Sequence, residues 1–399
     1  MTSHQEHIAP SMVALLAAAA GLIVANLYYA QTLVGPIATA TGLSADAAGL
    51  VVTLTQIGYT LGLLFIVPLG DLLENRRLVV TALAATAVAL VAAAFATSAW
   101  VFLAAALAIG LGSVAAQILV PFAAHLSHES KRGHTVGKVV SGLLLGIMLA
   151  RPAASLVADR TSWHVVFAGA AVLIALLALV LRAKLPQRVP HSRTTYPKLI
   201  GSLWTLFKTT PVLRRRAAYH AGLFGSFSLF WTVVPLALAS PMFGLSQTGI
   251  AVFALVGMAG AVASPVAGKL ADAGHSLAAT AAALGLGIAG FALPLIAPGS
   301  RDVALAILGI ASIVLDMGVA ANLVLGQRAI FTLGAEVRSR LNGLYFAVFF
   351  AGGAAGSALG GWVYARHGWH AALLAGMAMP AAALLYWVGE ASERQAAAV

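Results

Sequence analysis

The sequence predicts an all-α membrane protein of twelve transmembrane helices. Three observations carry that prediction: the composition, the recurrence of long apolar runs and the one-sided placement of the cations. Of 399 residues, 61% are hydrophobic and 9% charged, whereas ordinary soluble domains are about 25% charged; a soluble fold is excluded. A helix crossing about 30 Å of hydrocarbon needs about 20 mostly apolar residues, and such runs follow one another along nearly the whole chain. They are rich in Ala, Leu, Val and Gly, and stretches such as Leu78 to Thr97 show no alternation of apolar with polar residues. A transmembrane barrel needs that alternation, so the spans are helices. They are expected at 10–36, 46–70, 78–97, 100–127, 136–157, 164–184, 214–239, 246–270, 277–298, 302–328, 339–364 and 369–389.

The first apolar run, Met12 to Ile37, is too long for a signal-peptide core and no Lys or Arg precedes it, so it is read as a retained first helix. With both termini in the cytoplasm, Arg76, Arg77, Lys131, Arg132, Lys138, the cluster from Arg182 to Arg216, Lys269, Arg328, Arg338, Arg340 and Arg394 lie inside. Arg160, Arg301 and Arg366 then lie outside. That asymmetry follows the positive-inside rule and implies a multi-pass protein of a bacterial inner membrane. It also assigns the net charge of +11 to contact with membrane lipid rather than with nucleic acid. The absence of cysteine excludes disulfides and thiolate metal sites; no metal or other cofactor is expected.

The long polar segment from Leu185 to Leu213, with Pro186, Pro190, Pro197 and Pro211, divides the chain into six-helix halves at 1–184 and 214–399. Within it Lys198, Ser202, Thr205 and Thr209 share one helical face, while Leu199, Leu203, Trp204, Leu206 and Phe207 cover the other sides. This pattern fits a short interfacial helix on anionic lipid or a plain solvated linker. The halves repeat: Glu129, Ser130, Lys131 and Arg132 precede the fifth span as Ala335, Glu336, Val337 and Arg338 precede the eleventh. Ser162, Trp163 and His164 open the sixth span as Gly368, Trp369 and His370 open the twelfth, and Asp71 closes the second as Asp272 closes the eighth. Parallel halves of this kind place a solute site near the midplane between them and expose it alternately by rocking.

The run Gly268, Lys269, Leu270, Ala271 and Asp272 after the eighth span is similar to the start of the loop motif of the major facilitator superfamily, and the chain resembles that superfamily across its length. The loop after the second span, Pro68 to Arg77, keeps the acid and the basic pair with the acid one position early. The resemblance implies that Asp71, Arg76, Arg77 and Asp272 are gate residues, each Asp meeting a helix end of the neighbouring half. Gly142, Gly146, Arg151 and Pro152 look like a form of the superfamily's antiporter motif without its terminal glycine pair. Ala25 to Gln31 and Gln327 to Asn342 are similar to a branch described as bacterial drug or sugar efflux permeases. The Arg of the drug-antiporter pattern is absent from Phe102 to Gly112.

Two ionisable side chains stand deep inside the expected spans, where each costs roughly 2.5 to 3.5 kcal/mol on insertion scales. Asp316 lies about 20 Å from the outer end of the tenth span, at 1.5 Å per residue, and is read as a carboxylate binding proton or solute. Its bland alternative is a structural acid bonded to neighbouring helices. Arg151 lies nearer the outer end of the fifth span, where a guanidinium can snorkel; an interface pair and anion recognition are both open. Asn26, Tyr29, Gln56, Tyr59, Gln117, Ser228, Trp231, Thr232 and Tyr345 form the candidate solute cavity, each one also explicable as packing or interhelical glue. Gly285, Gly287 and Gly290 match a dinucleotide fingerprint in form, but they sit inside an apolar span with no preceding strand.

No phosphate-binding loop, zinc-protease or serine-hydrolase motif is present, so an enzyme is not expected and any transport must draw on ion or solute gradients. The expected function is export of a small amphipathic organic solute by proton antiport, in a monomer. Uptake by symport or facilitation is the alternative within the fold, and a non-transporting sensor or scaffold the alternative outside it. Single cysteines placed between positions 185 and 213 should react with a membrane-impermeant maleimide only from the cytoplasmic side; labelling from the periplasm reverses the orientation.

Overall fold

In hydrocarbon every backbone N–H and C=O must be paired within the chain, and a helix achieves this inside one segment. The computed structural model describes residues 9–128, 131–190, 194–296, 299–334 and 337–398, with side chains as far as Ser392, and among these it contains helices and turns but no strand. Glu129, Ser130, Ala335 and Glu336 of the repeated motif, Arg193 of the linker cluster and the Arg394 side chain lie outside the described residues. The helices are α1 (Pro10–Ala25), α2 (Val34–Thr41), α3 (Leu50–Phe65), α4 (Asn75–Ala94), α5 (Ala99–Ser113), α6 (Ala115–Leu126), α7 (Arg132–Arg160) and α8 (Trp163–Lys184). After them come α9 (Tyr196–Thr209), α10 (Pro211–Ala239), α11 (Gln247–Gly257), α12 (Ala263–Asp272), α13 (Ser276–Leu295), α14 (Arg301–Phe331) and α15 (Arg338–Ala398).

Ten stretches among the described residues are long and apolar enough to cross a membrane. The last of them turns at Gly368, whose φ of 77° lies in the left-handed region that a residue with a side chain disfavours. With that stretch divided and the interrupted first run counted, the path accommodates twelve passes. The first run is not the continuous helix expected over 10–36. Asn26 turns its amide back onto the carbonyls of Leu22 and Ile23, at 3.3 and 3.0 Å, and competes with the helical ladder. Pro36 has no N–H and crowds the carbonyl four residues earlier, so α1 ends at Ala25 and α2 begins at Val34 after a 3-10 turn. The eighth pass is interrupted in the same way by a 3-10 turn over Met258–Val262.

α1 packs on α7, α3 on α5 and α4 on α8; later in the chain α10 packs on α15 and α13 on α14. Between the two groups run α3 against α15 and α7 against α11. The α1–α7 seam is backbone to backbone: a Cβ on Gly21 would stand 2.5 Å from the Gly142 carbonyl oxygen. The start of α1 and the end of α15 share one end of the bundle with the linker. Arg132 and Arg188 line one cavity there, α1 runs parallel to α7, and Tyr219 near the start of α10 donates to Glu390 near the chain's end at 2.5 Å. At the same end Glu74 caps α4 through the N–H groups of Arg76 and Arg77 and accepts that of Arg188. Desolvation pushes its carboxyl up, and these bonds together with the Arg76 charge outweigh it and hold the carboxyl below the usual carboxylate range.

Replacing Gly21 by Ala should lower the thermal midpoint in detergent, at a cost of about 1–3 kcal/mol, because a carbonyl cannot rotate away as a side chain can. Gly169→Ala, a helical position with open space around it, is the control and should leave the midpoint unchanged or raise it.

Candidate functional site

Three long helices meet at the centre, each contributing one polar side chain. Arg151 on α7 is buried at 5% exposure, and its guanidinium carbon stands 4.0 Å from the centroid of the Trp231 indole, 5.0 Å from that of Phe227 and 5.9 Å from that of Tyr28. Phe227 and Trp231, four residues apart on α10, share one helical face. Beyond the indole, Trp231 donates its N–H to an Asp316 carboxylate oxygen at 3.3 Å. Cation, aromatic ring and carboxylate are thus strung across the boundary between α7 and the second group of helices. Close approach of the eighth pass shapes the far side: a Cβ on Gly257 would lie 2.8 Å from the Trp231 ring, and one on Gly260 would lie 2.6 Å from the Asp316 Cβ.

Arg151 keeps its head group inside the bundle, where the two groups of helices meet. Three aromatic faces from two other elements surround its head, and its Nε and Nη1 atoms are buried without a hydrogen-bond acceptor. Tyr28 and Phe227 were not among the sequence candidates, although their aromatic character and their nearness to Tyr29 and Trp231 marked the right segments.

The other candidates do not converge on a single cavity. Gln56 donates to Ser228 at 2.8 Å, joining α3 to α10, while Thr232 bonds back to the Ser228 carbonyl within its own helix. Gln117 donates to the Tyr59 hydroxyl at 3.0 Å, and the Tyr59 ring packs 4.5 Å from Phe350. Asn26 is spent on its own helix, with its Oδ1 left unpartnered, and Tyr29 is half-buried nearby. Tyr345 lies against His220 and Phe349, and the His220 ring nitrogen lies 3.0 Å from the Asn322 amide. Sequence reasoning passed over His220 because it follows Arg214, Arg215 and Arg216, which read as the end of the linker.

A cavity of about 300 Å³ opens at the linker end and is lined by Asp71, Asn75, His125, Arg132, Arg188 and Arg340, with Gln117 and Leu344 toward its floor. The opposite end is shut. There Thr53 and Ser357 share a hydrogen bond of 2.8 Å, Arg366 pairs with Asp46 at 2.8 Å, and Thr248 donates to Asp159 at 2.6 Å. Asp71 therefore faces Arg340 across the two groups of helices, and Arg76 bonds the Leu185 carbonyl, fastening the linker's start. The backbone N–H of Arg77 joins the α4 cap and its side chain is exposed. Asp272 instead pairs with Arg328 of its own group, and both side chains are exposed; the resemblance had placed its partner in the neighbouring half.

Residues 13–332 match the sequence profile of the Major Facilitator Superfamily. The chain belongs to that superfamily. A protein named "Uncharacterized transporter YgaY" from Escherichia coli O157:H7 is 41% identical over 388 residues, covering 97% of each chain. A probable transporter of Streptomyces coelicolor is 32% identical over 362 residues, 89% of this chain and 82% of that one. Among solved structures, the nucleoside transporter NupG is similar in fold with a TM-score of 0.71 at 15% identity, covering 94% of this chain and 98% of that one. A bacterial homolog of the human lysosomal transporter Spinster, inward-facing and occupied, also gives 0.71, at 14% identity over 95% and 96% of the two chains. The present member of the Major Facilitator Superfamily is a multi-pass membrane transporter and not an enzyme.

The stack of Arg151 on Trp231 should be measurable as a coupling. Thermal denaturation of Arg151→Met, Trp231→Leu and the double variant should give an interaction energy of about 2 kcal/mol, the magnitude of a desolvated cation–π contact. Additive effects would show that the two side chains act independently.

Proposed function

We propose that the chain is a secondary active transporter of the bacterial inner membrane, carrying a small amphipathic organic solute by alternating access, with Asp316 as the proton-loading group. The observation that carries this reading is the junction of Arg151, Trp231 and Asp316. It lies where the two groups of helices meet, is closed off from one end and is separated from the linker-end cavity by aromatic rings. An acid retained inside a span, despite its cost, is accounted for when it binds something that moves.

In this reading residues 1–184 and 214–399 rock as two halves of a monomer about the central site, and α9 lies on the cytoplasmic membrane surface. Positive-inside placement makes the linker end cytoplasmic, so this structure faces inward. Asp71 closes that end by approaching Arg340, with Arg76 and Arg77 holding the adjoining loop and linker. Asp272 and Arg328 brace one half. Export by exchange requires solute and proton to compete for Asp316, and this is the coupling expected from the sequence. The guanidinium next to that carboxylate favours a second reading, co-transport, in which a solute bound on Arg151 and a proton bound on Asp316 occupy the same state.

In proteoliposomes, wild-type flux should follow an imposed proton gradient. Asp316→Asn, which cannot exchange a proton, should reduce gradient-driven flux at least tenfold while solute exchange across the membrane survives. Gradient-driven flux at the wild-type level in a folded Asp316→Asn variant would remove Asp316 from coupling.

A further inference from the structure

Arg151 is a buried cation whose chemistry is incomplete. A guanidinium offers five N–H donors in a fixed planar fork, and buried donors left without acceptors carry a desolvation cost that stacking does not remove. Here the rings of Tyr28, Phe227 and Trp231 supply faces rather than acceptors, and Nε and Nη1 remain unpartnered. Among the described residues no carboxylate comes within the ion-pair distance of 4.0 Å of it. Asp316, the nearby acid, is engaged by the Trp231 N–H instead.

The approach from the linker end carries the same sign. Arg132, Arg188 and Arg340 line the cavity against the single carboxylate of Asp71. A cleft of one prevailing sign concentrates counter-ions of the other. From its floor, at Gln117, rings run inward in contact: Tyr59 on Phe350, Phe350 on Phe224, Phe224 on Phe227, and Phe227 beneath Arg151. A solute moving from cavity to junction therefore meets cations first, aromatic faces next and a free guanidinium last.

We propose that the transported solute is a small organic anion, with its carboxylate seated on the Arg151 N–H groups and its ring or apolar body laid against Tyr28, Phe227 and Trp231. Bidentate recognition of a carboxylate by a planar guanidinium is the geometry that uses the free donors. This assignment rests on reading the chain as a solute transporter, and the test separates the two.

The probes are benzoate, benzyl alcohol and benzylamine, which share a ring and differ in charge. With the purified full chain, benzoate should quench Trp fluorescence and raise the thermal midpoint, while the alcohol and the amine should do neither at the same concentration. Arg151→Gln should weaken benzoate binding at least tenfold, and Arg151→Lys, which keeps charge but loses the fork, should fall between; thermal midpoints of the free variants check that both are folded. Equal or tighter binding of the alcohol or amine overturns the proposal, as does no anion-dependent signal, or undiminished benzoate binding in folded Arg151→Gln. The same three compounds are then followed in proteoliposomes. Movement of the amine or alcohol without benzoate leaves a transporter with the wrong solute assigned. Arg151-dependent binding of benzoate with no flux of any probe leaves the anion site standing and removes the transport reading.

Discussion

A guanidinium inside a membrane bundle has to be offset by its surroundings, and much of the central architecture follows from how this chain does so for Arg151. No carboxylate is placed directly against it. Three aromatic faces from the first pass and α10 take that position, and the carboxylate of Asp316 stands one indole further on. Holding this arrangement requires α7 and α10 to meet at the centre and the eighth pass to approach closely enough that Gly257 and Gly260 touch Trp231 and Asp316. A direct ion pair in a dry interior is costly to break once formed. A ring interposed between the charges leaves both heads able to change partners, as a site that loads and unloads must.

The closures at the two ends differ in kind. At the end away from the linker the contacts are short and mutual: glycine against glycine at Gly49 and Gly361, hydroxyl to hydroxyl at Thr53 and Ser357, and the pair Arg366–Asp46. The ion pair is exposed and screened by solvent, and a single buried hydroxyl bond is worth about 1 kcal/mol net, so such a closure can open at modest cost. At the linker end the cationic side chains already bond across the linker's boundary: Arg188 of the linker donates to Asn75 of α4 at 2.6 Å and Arg340 of α15 donates to Ser202 of α9 at 3.0 Å. Closing that end around Asp71 would exchange those bonds for others of similar strength, which suits a two-state element.

Much of the fold was legible in the sequence, because the periodicity of apolar runs and the sidedness of Lys and Arg are properties of whole segments. The sequence also singles out Arg151, Trp231 and Asp316 individually. What it could not supply was which of them face one another. Helix rotation and tilt are set by packing, here by close approaches such as Gly21 on Gly142, and the same residues on a helix turned by half a turn would face lipid. Asn26, Gln56, Gln117 and Tyr345 share polarity with the neighbours of Arg151 yet are distributed over four different contacts. The break in the first pass was readable from Pro36 but was masked by the uniform hydrophobicity around it. Glu390 escaped notice because it lies just past the last apolar run, although it is buried and bonded to Tyr219.

Solute charge and direction of transport are linked at this junction. When solute and proton compete for one carboxylate, binding of either excludes the other and the two must travel in opposite directions; a cationic solute at Asp316 would behave so. An anion held on Arg151 acts otherwise. It takes over as the counter-charge of the guanidinium, and the junction then holds two negative charges, the anion and Asp316 across the indole, against one positive charge unless Asp316 carries a proton. Arg151 and Tyr28 are the other titratable groups at this junction, and neither relieves that repulsion once the guanidinium is occupied. Proton and anion are thereby driven into the same state and cross together, so the single choice between a cation and an anion at this site also decides between export by exchange and uptake by co-transport.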